Sequence, residues 1–117
     1  MAHAAHDLAA EQAVIGAALL APTLIGDLAA TLTPDDFYRP THGLLWHALC
    51  TMHAAGTPSD PITLTAHLAE TGDLTRVGGA PYLHTLIADV PSTANAGHYA
   101  TRVAELAQRR KVADLGT

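Results

Sequence analysis

Asp35-Asp36-Phe37-Tyr38, with His42 and then Leu44-Leu45-Trp46 behind it, is the stretch on which the fold of this chain turns. Thr33-Pro34 opens it. The threonine reads as a cap and the proline suits a first helical position, where its missing N–H costs nothing. Two carboxylates then fall near the amide pole. This order predicts one short helical turn that throws Phe37 inward. A longer helix follows from near Pro40 or Thr41 and stops at Gly56. Its Leu45, Ala48, Leu49 and Met52 recur at three- and four-residue spacing as a core stripe, with Trp46 and Cys50 one step around.

Working outward, the same periodicity predicts helices on both sides. Upstream, a helix runs from Asp7 or Leu8 to Leu20, with Asp7 as cap and Glu11 in the first turns. Leu8, Val14, Ile15, Ala18 and Leu19 form its stripe, and Gly16 leaves room for a close neighbour. Pro22 opens a short helix to Leu32 that carries Leu24, Ile25 and Leu28. Downstream, Asp60-Pro61 repeats the carboxylate cap and first-position proline. That helix is expected to bury Ile62, Leu64 and Leu68 and to stop at Gly72. A loop over Asp73 to Gly79 leads to a helix from Ala80 to Val90 with Tyr82, Leu83, Leu86 and Ile87. Pro91-Ser92-Thr93 breaks it, and a last helix runs from Ala94 toward Leu115 with Tyr99, Val103 and Leu106 inside. The expectation is an all-α, compact bundle of about six short helices. Residues 1–7 read as a frayed tail, 8–95 as a globular head and 96–117 as the final helix.

Composition agrees with that reading. The 117 residues make one domain with a modest core, 49% hydrophobic but only 4% aromatic. Ala and Leu, strong helix formers, dominate. Net charge is -5. Affinity for nucleic acid comes mainly from cations that neutralise phosphates, so six dispersed Lys and Arg on an acidic body make a poor phosphate-binding surface. Arg109-Arg110-Lys111 concentrates half of them and reads as a solvated helix end at the negative pole, with an acidic or nucleic-acid partner as the alternative. One cysteine, Cys50, excludes an internal disulfide and fits a reducing cytosol. No apolar run approaches the ~18 residues of a membrane span, and Met1 to His6 lacks the layout of a secretory signal.

Catalytic chemistry finds little to use. A phosphate-binding loop needs glycines, a lysine and a hydroxyl at fixed spacing, whereas Gly78-Gly79 has no lysine near and the sole lysine is Lys111. Among the eight histidines, His3 and His6 sit on the tail. His42, His47 and His53 turn to different sides of one helix, and no zinc-type spacing occurs. Asp35-Asp36 is explained by its helical turn. Ser59 and Ser92 lie in proline turns without a base, and Cys50 lacks an activating neighbour. No metal, cofactor or catalytic residue is expected in this chain. A DNA-reading helix would need several Arg, Lys, Asn or Gln on one face, and the helices from Thr41 and Pro61 offer none.

From Ala10 to Val112 the chain resembles the N-terminal domain of DnaB-type replicative helicases. The resemblance rests on Glu11-Gln12-Ala13-Val14-Ile15-Gly16, the Asp35 to Trp46 stretch, Asp60-Pro61-Ile62-Thr63-Leu64, and Val77-Gly78-Gly79 with Tyr82-Leu83. Pro91-Ser92-Thr93-Ala94-Asn95 with Tyr99-Ala100 and Val103 closes the series. As signature residues it singles out Glu11, Asp36, Phe37, Tyr38, His42, Trp46, Asp60, Gly78, Gly79, Tyr82 and Tyr99. Physics alone gives most of these a structural role: Phe37, Trp46, Tyr82 and Tyr99 as core volume, Asp36 and Asp60 as caps, Gly78-Gly79 as a turn. The resemblance implies a collar domain that pairs with neighbouring copies in a hexameric ring and docks primase. It implies work at the replisome in the bacterial cytoplasm, with ATP and magnesium confined to a separate motor domain. Candidates for self-association are Trp46, Tyr99, Val103, Leu106, Arg109 and Arg110. In that family the last helix begins a hairpin. An ending at Thr117 leads us to expect a domain excised from a complete helicase, a free-standing homologue being the alternative. The competing class is a helical regulator that binds nucleic acid through Arg102, Arg109, Arg110 and Lys111.

Overall fold

The structure, a computed structural model, describes residues 4–115, so His3, Gly116 and Thr117 lie outside it. Six α-helices run in order: α1 (Leu8–Leu20), α2 (Ile25–Thr31), α3 (Pro40–Ala54), α4 (Pro61–Thr71), α5 (Gly79–Ala88) and α6 (Ala96–Leu115). Short 3₁₀ turns at Pro22–Leu24, Pro34–Asp36 and Thr93–Asn95 join them, and no strand forms among the described residues. The all-α bundle expected from the pattern is the one observed.

Helix α1 is the axis of the bundle. Every residue from Ala10 to Leu19 except Gln12 is buried, and α3, α5 and α6 pack around it. A helix that is apolar all round has to be enclosed, and its alanines let neighbours come near. Gly16 is the closest approach, because a Cβ there would strike the Leu86 carbonyl and a Val90 methyl of the α5 segment. Gly16→Ala gains helix propensity, yet the backbone it meets cannot swing aside. We expect a net loss of about 1–3 kcal/mol, read as a lowered urea midpoint. An unchanged midpoint would show that α5 moves freely.

The caps follow the sequence. Asp7 accepts from the Ala10 amide and Asp60 from the Thr63 amide, and α4 ends on Gly72. The Ala10 amide, helped by Arg102, holds the Asp7 carboxyl below its ordinary 3.8 against a partial desolvation that opposes it. A depressed folded-state pKa contributes stability that is complete above the unfolded value and disappears as pH falls through the folded one. Asp7→Asn keeps the cap, so it should cost less than about 0.5 kcal/mol at neutral pH, where solvent screens the charge. Its stability should also fall less steeply than that of the parent below about pH 4. Denaturation series at acidic pH test this, and parallel curves would refute it.

Four expectations need correction. Ile62 was expected inside but is 83% exposed. Leu64 and Leu68 set the inward direction of α4, and two residues of α-helix turn about 200°, which sends Ile62 to the far side. Residues 4–7 lie against the bundle: His6 stacks on Tyr38 at 4.0 Å, and the Ala5 carbonyl accepts from Arg110 at 2.6 Å. Arg109-Arg110-Lys111 is a solvated stretch near the end of α6 only in part. Arg110 donates to the Asp36 carbonyl at 2.7 Å and lies over the Tyr38 ring, while Lys111 reaches the Asp36 carboxylate at 3.8 Å. Only Arg109 and Lys111 of the three are exposed. The division after residue 95 crosses a continuous core, since Ala96, Ala100 and Val103 of α6 pack within it.

Candidate functional site

The most organised polar group in the molecule lies inside this apolar frame. Glu11 of α1 is 1% exposed and His42 of α3 is fully buried. Glu11 Oε1 meets His42 Nδ1 at 2.8 Å, and Glu11 Oε2 accepts from the Tyr38 amide at 2.7 Å. The Arg39 amide points to the same carboxylate at 3.4 Å. On the other ring nitrogen, His42 Nε2 faces the Tyr82 hydroxyl of α5 at 2.7 Å, and Gln12 Nε2 donates to that hydroxyl at 3.3 Å.

Donor and acceptor counting assigns the protons. A carboxylate only accepts, so the imidazole N–H is on Nδ1 and Nε2 is left to accept from the Tyr82 O–H. Gln12 then supplies the second bond to the tyrosine oxygen. Every group of the network finds a partner, and no buried side-chain nitrogen or oxygen among the described residues is without one. The network ties α1, the 38–39 segment, α3 and α5 together. The turn that precedes it is set by Asp36, whose carboxylate reaches back to the Thr33 amide at 2.9 Å. Asp36 is therefore the third residue of the turn closing on its own cap. That turn places Phe37 against Trp46, with ring centroids 5.8 Å apart.

This arrangement has the outline of an acid–base relay but cannot perform one in place. His42 is sealed, and both of its nitrogens are committed. Burial raises the Cys50 thiol pKa, which disfavours its thiolate. Among the described residues no three His, Cys, Asp or Glu side chains converge as metal ligands. Among the described residues no single helix is long and apolar enough to cross a membrane. A nucleotide phosphate would find no lysine at Gly78-Gly79, because Lys111 sits beside Asp36.

The signature residues divide by role. Glu11, His42 and Tyr82 come together, as do Phe37 and Trp46. Asp60 caps α4, and Gly78 stands at φ 108°, where a Cβ would collide with Tyr82. Tyr38 is 42% exposed and Tyr99 half-buried. Of the self-association candidates, Trp46, Val103 and Leu106 are corrected to core: Trp46 is 0% exposed, and its indole N–H donates to the Leu32 carbonyl at 3.2 Å. Position 46 is enclosed because α1, α2, α4 and the Pro34 turn surround a wide arc of α3. Arg110 is spent on internal bonds, which leaves Arg109 and part of Tyr99 facing out. The sequence alone does not pair Glu11 with His42. Its one signal was a carboxylate at the start of an otherwise apolar helical run.

Comparison with known proteins places this geometry. Residues 3–105 match the family model described as DnaB-like helicase N terminal domain. The replicative DNA helicase DnaB of Mycobacterium leprae is 49% identical over 111 residues, covering 95% of this chain and 18% of that protein. The DnaB of Leifsonia xyli subsp. xyli is 44% identical over 96% of this chain and 24% of its own length. This chain thus spans a fifth to a quarter of such relatives. The crystal structure of the N-terminal domain of DnaB helicase from Mycobacterium tuberculosis superposes with a TM-score of 0.94 at 47% identity, over 97% of this chain and 83% of that one. A DnaB-like replicative helicase, solved in a study of its interactions with primase, gives a TM-score of 0.83 at 31% identity over 94% of this chain and 26% of its own. Sequence and fold agree along nearly the whole length, and the chain belongs to the DnaB-like helicase N-terminal domain family.

Proposed function

We propose that this chain is the collar of a replicative DNA helicase, a protein-contact domain that pairs with neighbouring copies and docks primase. Unwinding, with its ATP and magnesium, belongs to a separate motor domain, and the whole works in the bacterial cytoplasm. The observation that carries this reading is the match to the solved Mycobacterium tuberculosis N-terminal domain across 97% of this chain. The internal chemistry supports it. The side chains best suited to acid–base work, Glu11, His42 and Tyr82, are consumed in holding helices together, which is what a docking body needs.

Titration with the primase of the same organism tests the proposal. A saturable complex in the micromolar range (about -8 kcal/mol) is the expected result. Absence of any complex, with the helical signal intact, would refute docking. Light scattering over a concentration series reads self-association separately.

Nucleic acid should contribute little. Arg102 pairs with Asp7 at 3.2 Å, and Arg110 and Lys111 turn toward Asp36. With labelled single-stranded DNA at physiological salt we expect only weak binding that vanishes as salt rises. Micromolar binding abolished by alanine at Arg102, Arg109, Arg110 and Lys111 would favour the nucleic-acid regulator instead.

A further inference from the structure

Beside the buried network, and built on it, lies a surface cleft of about 340 Å³ lined by Arg39, Thr41, Arg76, Gly78 and Tyr82 among others. Two of the six cations in an acidic chain converge here. The Arg39 guanidinium stands 5.8 Å over the Tyr82 ring. Arg76 is held only by Asp73, through an exposed pair at 3.4 Å, and such pairs contribute little and exchange readily. Helix α5 starts at the cleft on Gly78, with no side chain capping its amide end. Two guanidinium side chains therefore line one opening.

The walls are pre-organised. Tyr82 is pinned by His42 and Gln12, and the Arg39 backbone is directed at Glu11. Gly78 allows the close fit to Tyr82, which any side chain at that position would spoil. A fixed aromatic floor below a planar guanidinium orients the fork toward solvent. Such a site suits a carboxylate, which takes two parallel N–H bonds.

We propose that this cleft receives an acidic side chain, aspartate or glutamate, from a protein partner of the domain. The inference rests on the reading of the chain as a protein-contact module, though not on which protein docks. Two isolated cations on a body of net charge -5 are too few to track a phosphate backbone, for which affinity grows with the number of phosphates neutralised. They are enough to anchor one carboxylate.

The test uses the chain as it is, with a blocked hexapeptide alternating aspartate and glutamate as probe. Amide and guanidinium NMR signals follow the titration. The expected result is saturable shifts confined to Arg39, Arg76, Gly78, Gly79 and Tyr82, weakened about tenfold or more by Arg39→Ala with Arg76→Ala. Both arginines are exposed, so this variant keeps its fold. Arg39→Lys retains the charge and loses the fork, and should recover only part of the binding. No localised shift up to ~10 mM peptide, which corresponds to less than about 3 kcal/mol of affinity, overturns the proposal. So does a matching response to inorganic phosphate alone, and so does tighter binding of a thymidine oligonucleotide. Failure here is distinguishable from failure of the collar reading, which the primase titration and light scattering decide by themselves.

Discussion

Glu11→Ala is expected to lower the unfolding free energy by about 3–5 kcal/mol, the cost of stranding several buried donors at once. The carboxylate serves His42 Nδ1 and the Tyr38 and Arg39 amides, and its removal leaves those donors facing apolar surroundings. Each stranded buried donor costs on the order of 1–3 kcal/mol. Urea denaturation read by helical signal measures the loss. Glu11→Gln keeps one accepting oxygen and should cost markedly less. A double-mutant cycle with His42→Gln should return a coupling of about 1–3 kcal/mol. If Glu11→Ala costs under about 1 kcal/mol, water reaches the site and the network does not hold the helices.

Trp46→Ala is the second large loss, again about 3–5 kcal/mol, from the removal of a fully buried aromatic side chain. Phe37 loses its ring partner and the Leu32 carbonyl loses the indole donor. The same residue separates a core role from an interface role. Trp46→Phe preserves most of the volume and should leave self-association by light scattering unchanged, even though thermal stability falls. A variant that unfolds normally but no longer associates would put Trp46 back at a subunit contact.

Both predictions concern residues whose importance is visible at different depths. Trp46 is a lone tryptophan on a helix with a clear apolar stripe, so a core position could be argued from spacing. Its assignment to the association surface failed because spacing gives a direction around one helix and says nothing of how many neighbours enclose it. Glu11 shows the complementary limit. A glutamate in a first helical turn satisfies the helix dipole without further explanation, and its partner lies 31 residues away on another helix. Arg110 was likewise read from local context as solvated, whereas it joins α6 to Ala5 and Asp36.

By itself the sequence determined what is local. Periodicity of Ala and Leu, with Asp, Thr, Pro and Gly at the ends, set the helices and their caps, because those signals act within a turn or two along the chain. The order of motifs was enough to name the family resemblance. Tertiary structure alone decided which polar residues are sealed and which remain available, since burial depends on what every other helix covers. It closed Glu11, His42 and Tyr82 into one network and brought Arg39 and Arg76 to one cleft, joining positions that lie far apart along the chain.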